Sequence, residues 1–326
     1  MEKRIPDSPP RIVPPDEQLL RPLWSVMIPV YNCGSFLASS IQSVLDQDPG
    51  CDHMQIEVVD DASTDCNVEA LVKRVGANRV VYSRQPSNAG SLRNFQSCIE
   101  RSNGKLVHIL HGDDRVRHGF YSRMEKLFFA NPGIGAAFSR YSYIDENGRV
   151  LYDHEPEADE EGILADCLMR LCIRQRMQYV STVVRRSVYE RVGGFYGVEY
   201  GEDWEMWARI AARYPIGYIP DVLAEYRKHF SSVSGRSFLT GQNMESLRWV
   251  MNNLSEYLPM EKRENIQDES RKFYAHYGLR VANSIWSNLR HKRGAAAQIK
   301  AAWNMRPDAR LAIKIIKLYT RMALNL

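Results

Sequence analysis

Three short runs in this 326-residue chain concentrate groups able to hold a cation, a phosphate or a proton. The first, Asp60-Asp61-Ala62-Ser63-Thr64-Asp65, closes the apolar stretch IEVV. Carboxylates crowded at the end of a buried strand repel one another and lose hydration unless a ligand or backbone donors compensate. Ligand-binding acids meet that demand, and so does an Asx turn in which Asp65 caps the next helix. Asp61 suits the recognition of a uracil or thymine base, whose N3 imino group donates to a carboxylate. The second run, His111-Gly112-Asp113-Asp114, follows KLVHIL. Its adjacent acids suit Mg²⁺ or Mn²⁺, which bind through one or two carboxylates plus substrate phosphates; a plain turn is the alternative. The third, Glu202-Asp203, opens an amphipathic helix bearing Trp204, Trp207, Ile210 and Ala211. Acids favour a helix N-terminus, so capping competes there with general-base catalysis. Tryptophans packed beside the carboxylate would lift its pKa toward a useful range and keep water from the reacting group.

Such runs need a scaffold that brings them together. The apolar, β-rich stretch WSVMIPVY at 24–31 predicts a buried strand, and 35–47 follows with Phe36, Ile41, Val44 and Leu45 at helical spacing. A strand at 56–61 completes a βαβ unit with parallel strands and a right-handed crossover. The pattern repeats as helix 67–75, strand 79–83, helix 90–102 and strand 105–110. Strands alternating with helices define an open α/β sheet, whose ligands bind outside the carboxyl ends of the strands. PVYN, VVDD and HGDD all fall at such ends. Beyond them the sequence predicts a helix at 120–130, a hairpin turn at Asn147-Gly148 and a helix near 162–174. Only helical periodicity remains after about residue 240.

With 44% hydrophobic residues, 25% charged residues and a net charge of +4, the chain is an ordinary globular protein with no case for nucleic acid. The six cysteines form no CxxC pair and have no histidine at zinc spacing, so reduced thiols and no structural zinc are expected. Neither a signal peptide nor a spanning segment is evident, which predicts a cytoplasmic protein or one peripheral to the cytoplasmic membrane face. The proline-rich residues 1–22 are expected to form a flexible arm. From Pro307 the sequence PDARLAIKIIKLYTRMALNL puts Arg310, Lys314, Lys317 and Arg321 on one helical face. Leu311, Ile315, Leu318 and Met322 fall on a neighbouring face, widened by Ile313 and Ile316. The 307–326 helix therefore either lies on an anionic membrane or packs on the catalytic domain or a second subunit.

The stretches VMIPVYN, EVVDDASTD, SNAGSLRNFQSCIERSNGKLVHILHGDD, VVRRSVYERVGGF and GEDWEMWARIA…LAEYRKH occur in this order over residues 24–230. Together they resemble family 2 glycosyltransferases, the bacterial inverting enzymes of the GT-A fold. The resemblance implies an α/β fold of GT-A type: an open, twisted, mainly parallel sheet flanked by helices, with a C-terminal helical extension. Its parts would be the arm at 1–22, the transferase domain at 23–235 and a helical region at 236–326. It implies transfer of a single sugar from a UDP- or dTDP-linked donor to a hydroxyl of a glycan or lipid-linked acceptor, with Mn²⁺ or Mg²⁺ as cofactor. Pro29 and Tyr31 match the loop lining the nucleotide base, and Asp61 the acid that reads it. Asn88 and Arg93 match the segment beside the donor's ribose and phosphates. Asp113 or Asp114 matches the metal-binding acid of the DXD motif. Asp203, next to Glu202, matches the catalytic base of the Glu-Asp motif. His229 matches a histidine sometimes near the metal, with a plain loop residue as the alternative.

The family often reads Asp-Ala-Asp-Asp where this chain has His111 first, which leaves the register between Asp113 and Asp114 open. The QxxRW motif of processive synthases is absent, so one sugar is added at a time. Two other readings compete. A nucleotidyltransferase would normally carry a glycine-rich loop with a basic residue after the first strand, and PVYNCGSF has none. An inactive nucleotide-sugar-binding scaffold rests on His111 alone.

Overall fold

Every residue of Trp24–Val30 (β1) is buried, Ser25 included, as its mainly apolar sequence anticipates for a parallel strand covered on both faces. Gly34–Leu45 (α1) returns over it with Leu37, Ile41 and Val44 inward. Met54–Asp60 (β2) then pairs parallel to β1, from Trp24 opposite Met54 to Val30 opposite Asp60. Val68–Gly76 (α2) and Val81–Arg84 (β3), then Ser91–Arg101 (α3) and Leu106–Ile109 (β4), repeat the unit. The result is a parallel block in the order β3-β2-β1-β4. This computed structural model describes residues 3–16, 20–229 and 233–325.

The chain continues through Arg115–Val116 (β5), Phe120–Ala130 (α4), Ala136–Ile144 (β6) and Val150–Asp153 (β7), with the expected turn at Asn147-Gly148 joining β6 to β7. The helix expected at 162–174 is shorter, because Gly162–Ile163 (β8) pairs with a later strand before Cys167–Ile173 (α5) begins. Thr182–Arg185 (β9), Arg186–Val192 (α6), Glu202–Ala211 (α7) and Ile216–Arg227 (β10) follow. One open sheet in the order β3-β2-β1-β4-β9-β6-β10-β5 results, with β7 on β6 and β8 on β10. β9 lies antiparallel between β4 and β6, and there the sheet leaves its parallel block. β10 is missing from the sequence pattern for a visible reason: its register shifts on both sides of Val222, which interrupts the alternation of a strand. Among the described residues five α-helices follow: Val233–Thr240 (α8), Gln242–Leu254 (α9), Met260–Leu289 (α10), Lys292–Met305 (α11) and Ala309–Ala323 (α12).

Two compact units emerge. The first holds the sheet and comprises Met1–Cys167, Met177–Gly197 and Ile210–Lys228. The second comprises Leu168–Arg176, Val198–Arg209 and His229–Leu326. The expected boundary lay at 235/236; the compact units divide the chain differently, and the acidic start of α7 falls in the unit of the C-terminal helices. Within the second unit Leu279, Ala282 and Ile285 of α10 and Ala295, Ile299 and Ala302 of α11 are buried. Among the described residues no helix is long and apolar enough to cross a membrane.

The proline-rich arm, expected to be flexible, makes packing contacts where it is described. Ile12 is buried, Gly194 N donates to Pro10 O at 2.8 Å, and Gly197 N donates to Pro6 O at 2.9 Å. Gly193 takes a φ of 80°, and a Cβ there would stand 2.8 Å from Pro9 Cβ. Prolines pre-extend the arm and have no N–H to satisfy, so donors from the 193–197 turn can pair with its carbonyls.

Candidate active site

In the first unit the three polar runs at the ends of β1, β2 and β4 are stitched together. Asp61 N donates to Val30 O at 2.8 Å and Gly112 N to Pro29 O at 3.2 Å. Asn32 N donates to Ser63 Oγ at 3.0 Å, and Thr64 N returns to Asn32 Oδ1 at 2.8 Å. Glycine at 112 lets the runs approach closely, because a Cβ there would crowd Cys33 Sγ at 2.8 Å and Val30 Cγ2 at 3.0 Å. Pro29 is buried, whereas Tyr31 is 42% exposed and presents its ring at the rim. Asp65 does not cap α2; it accepts from Gly34 N at the start of α1, and Asn67 caps α2 through Ala70 N.

The ligand atoms of His111, Asp113 and Asp114 lie within 4.8 Å of one another. Asp114 is 2% exposed; its Oδ1 accepts from Arg227 N at 2.7 Å, while its buried Oδ2 has no partner. Burial, and then the charge of Asp113, push the Asp114 carboxyl well above the usual range. His111 is stacked on Phe95 and tilted against Tyr179, with ring centroids 5.2 and 4.5 Å away, and its buried Nε2 also lacks a partner. Burial pulls the His111 pKa down, which favours the neutral imidazole that a metal requires. Arg227, within LAEYRKH, organises this corner. Its Nε donates to Asp113 O at 2.7 Å, Nη1 donates to Asp145 O at 2.9 Å, and the guanidinium lies over Phe36. His229 falls in the second unit and is not one of the three clustered residues.

Asp61 was expected to accept a hydrogen bond from a uracil or thymine base. It is 2% exposed, and its two oxygens accept from Asn88 Nδ2 at 2.7 Å, Ala89 N at 2.7 Å and Gly90 N at 2.9 Å. Burial raises its pKa against those donors. The acid closes a loop, and a direct base contact would require that loop to yield. Asn88 and Arg93 are likewise engaged: Arg4 Nη1 donates to Asn88 Oδ1 at 2.7 Å, and Arg93 Nε donates to Lys3 O at 2.9 Å. The sequence carried no sign that the N-terminal arm would reach this loop.

In the second unit Glu202 is buried and Asp203 half-buried at the start of α7. Asp203 Oδ1 accepts from Trp204 N at 2.7 Å, and Oδ2 accepts from Gln175 Nε2. Trp204 is fully buried, packs tilted against Tyr274 with ring centroids 5.0 Å apart and donates its Nε1 to Leu171 O. Burial raises the Asp203 pKa to about 6, against the lowering effect of the Trp204 and Gln175 donors. Gln175 was missed because it lies on a loop with no periodic or motif signal.

A sequence profile of glycosyl transferase family 2 matches residues 25–190. The chain is a family 2 glycosyltransferase. The nucleotidyltransferase reading falls with that assignment. TuaG of Bacillus subtilis, a protein named for teichuronic acid biosynthesis, is 31% identical over 145 residues, covering 42% of this glycosyltransferase and 55% of TuaG. The fold is that of S. aureus TarS 1–349, solved with UDP-GlcNAc, at a TM-score of 0.61 and 14% identity, covering 89% of this chain and 92% of that one. It is also that of the mannosyltransferase PcManGT from Pyrobaculum calidifontis, solved with GDP-Man and Mn²⁺, at a TM-score of 0.58 and 18% identity, covering 97% and 84%. The open sheet with helices on its flanks is thus of GT-A type.

Proposed function

We propose that this glycosyltransferase moves one sugar at a time, with inversion, from a UDP- or dTDP-linked donor to a hydroxyl of a cell-surface glycan or lipid-linked acceptor. The observation that carries the reading is Asp203, a carboxylate whose pKa of about 6 makes it a base at neutral pH. Its carboxylate takes the acceptor hydroxyl proton as the hydroxyl oxygen attacks the anomeric carbon and the bond to the diphosphate oxygen breaks. Glu202, one residue earlier, is the alternative base. General-base help of this kind is worth about 10² to 10⁴-fold.

His111, Asp113 and Asp114 fit a divalent cation: two of them aim buried, unpartnered atoms, and the acids repel one another without one. Bound there, Mn²⁺ or Mg²⁺ would neutralise charge on the departing diphosphate. Tyr31 and Pro29 would line the base, while Asp61 holds the Asn88–Gly90 loop in shape and Arg93 sits on α3 behind it. The UDP-GlcNAc bound to TarS and the name of TuaG support the donor and acceptor classes, and a cytoplasmic setting follows from a nucleotide-linked donor. NMR of the anomeric proton in the product tests the reading: an α-linked donor should give a β-linked product, and retention of configuration would overturn it.

A further inference from the structure

We propose that α12 and its flank bind an anionic lipid surface through the two arcs of the helix that do not pack inside the second unit. Residues 290–326 hold nine Lys or Arg against one acid, Asp308, a net +8 in a chain whose total is +4. The rest of the protein is therefore net negative, and the positive charge is gathered at this end. α12 contains no acid at all and starts cleanly at Ala309, where Asp308 accepts from Leu311 N at 2.8 Å.

The face first expected to meet a membrane is used otherwise: Leu311, Leu318 and Met322 are buried within the unit. At about 100° per residue they and Ile315 occupy a narrow stripe of the helix. A second arc, about 140° wide on the same spacing, carries Tyr319, Ile316, Ile313 and, just past the helix end, Leu324. These four are 45–64% exposed. A third arc carries Lys317, Arg310, Arg321 and Lys314, all exposed, and Arg321 meets only the neutral amide of Asn283 at 2.7 Å. Trp303 of α11 adds another exposed apolar group.

A helix that has satisfied its packing face has no internal reason to keep a second apolar arc in water beside four cations. An interfacial helix needs that pairing, with apolar side chains entering the acyl boundary and the cations meeting phosphate headgroups. Nucleic acid would match the charge and leave the isoleucines unexplained.

Sedimentation with vesicles tests this directly, using the full chain with phosphatidylglycerol/phosphatidylcholine and with phosphatidylcholine alone. The wild type should bind the anionic vesicles, be released by high salt, and bind neutral vesicles weakly. Each cation near such a surface strengthens binding about fivefold, so Lys314→Glu with Lys317→Glu should weaken it by at least about 25-fold. Ile313→Ser with Ile316→Ser should also weaken it, while all four sites, being exposed, leave the thermal melt unchanged. Equal binding to neutral and anionic vesicles, or no binding to either, overturns the proposal. So does a solution dimer abolished by the isoleucine pair with vesicle binding intact, which would make the apolar arc a subunit interface.

Discussion

Replacing Asp203 by Asn separates catalysis from stability at one side chain. In the unfolded chain its carboxyl ionises near 3.8, and in the fold near 6, because burial outweighs the donors from Trp204 and Gln175. Below pH 3.8 the carboxyl is protonated in both states and its contribution is fully present. Between these values the native state holds a proton that the unfolded chain has released, so stability falls as pH rises, and above about 6 the loss is complete. About two pH units at about 1.4 kcal/mol each give a loss of about 3 kcal/mol. Asn cannot ionise and escapes that loss. It also introduces a mismatch. Gln175 Oε1 already accepts from Arg176 N at 2.8 Å, so Gln175 cannot flip, and the new amide must turn an N–H toward one of two donors. A misplaced buried donor costs about 1–3 kcal/mol at every pH.

Denaturant titrations at pH 4, 6 and 8 should therefore find the variant less stable than wild type at pH 4 and close to it at pH 8. The gap between them should close by about 2 kcal/mol over that range, the rest of the loss lying below pH 4. Turnover should fall by about 10² or more with donor affinity nearly unchanged. In the wild type, log kcat/KM should drop with unit slope below a pH of about 6. Stability curves that run parallel in pH, or a rate profile flat down to pH 4.5, would refute the assignment of that proton to Asp203. Survival of turnover in Asp203→Asn with its loss in Glu202→Gln would move the base by one residue.

Gln175→Ala removes a donor that holds the Asp203 pKa down, so the acid limb of the pH–rate profile should move to higher pH, read in the same kinetic assay. Asp113→Ala with Asp114→Ala should abolish transfer and the rise in melting temperature that Mn²⁺ produces in the wild type; equal wild-type activity with and without EDTA would count against a metal. Asp61→Ala strips Asn88, Ala89 and Gly90 of their shared acceptor, so titration calorimetry should show weaker UDP binding with Mn²⁺ affinity unchanged, together with about 2 kcal/mol less stability.

The sequence by itself determined the parallel block and the place of its chemistry. Short, mainly apolar, β-rich runs such as WSVMIPV and IEVVD, alternating with helical segments, read as buried parallel strands, and polar residues at their carboxyl ends then fall in one crevice. The acids of VVDD and HGDD were visible for that reason, and so was Asp203 at the head of an amphipathic helix. Tertiary structure alone decided which partner each acid received. Asp61 is enclosed by a loop 27–29 residues away, Asp114 by the backbone of Arg227, 113 residues away, and Asp203 by Gln175 on a patternless loop. Periodicity also told which residues of α12 share a face and could not tell which face would be covered. Spacing along a chain dictates local geometry, whereas hydrogen-bond partners and burial depend on contacts between segments whose sequences carry no record of one another. The proline-rich arm makes the same point: its composition lowers the entropy of an extended segment, and only the N–H groups of Gly194 and Gly197 turn that segment into part of the fold.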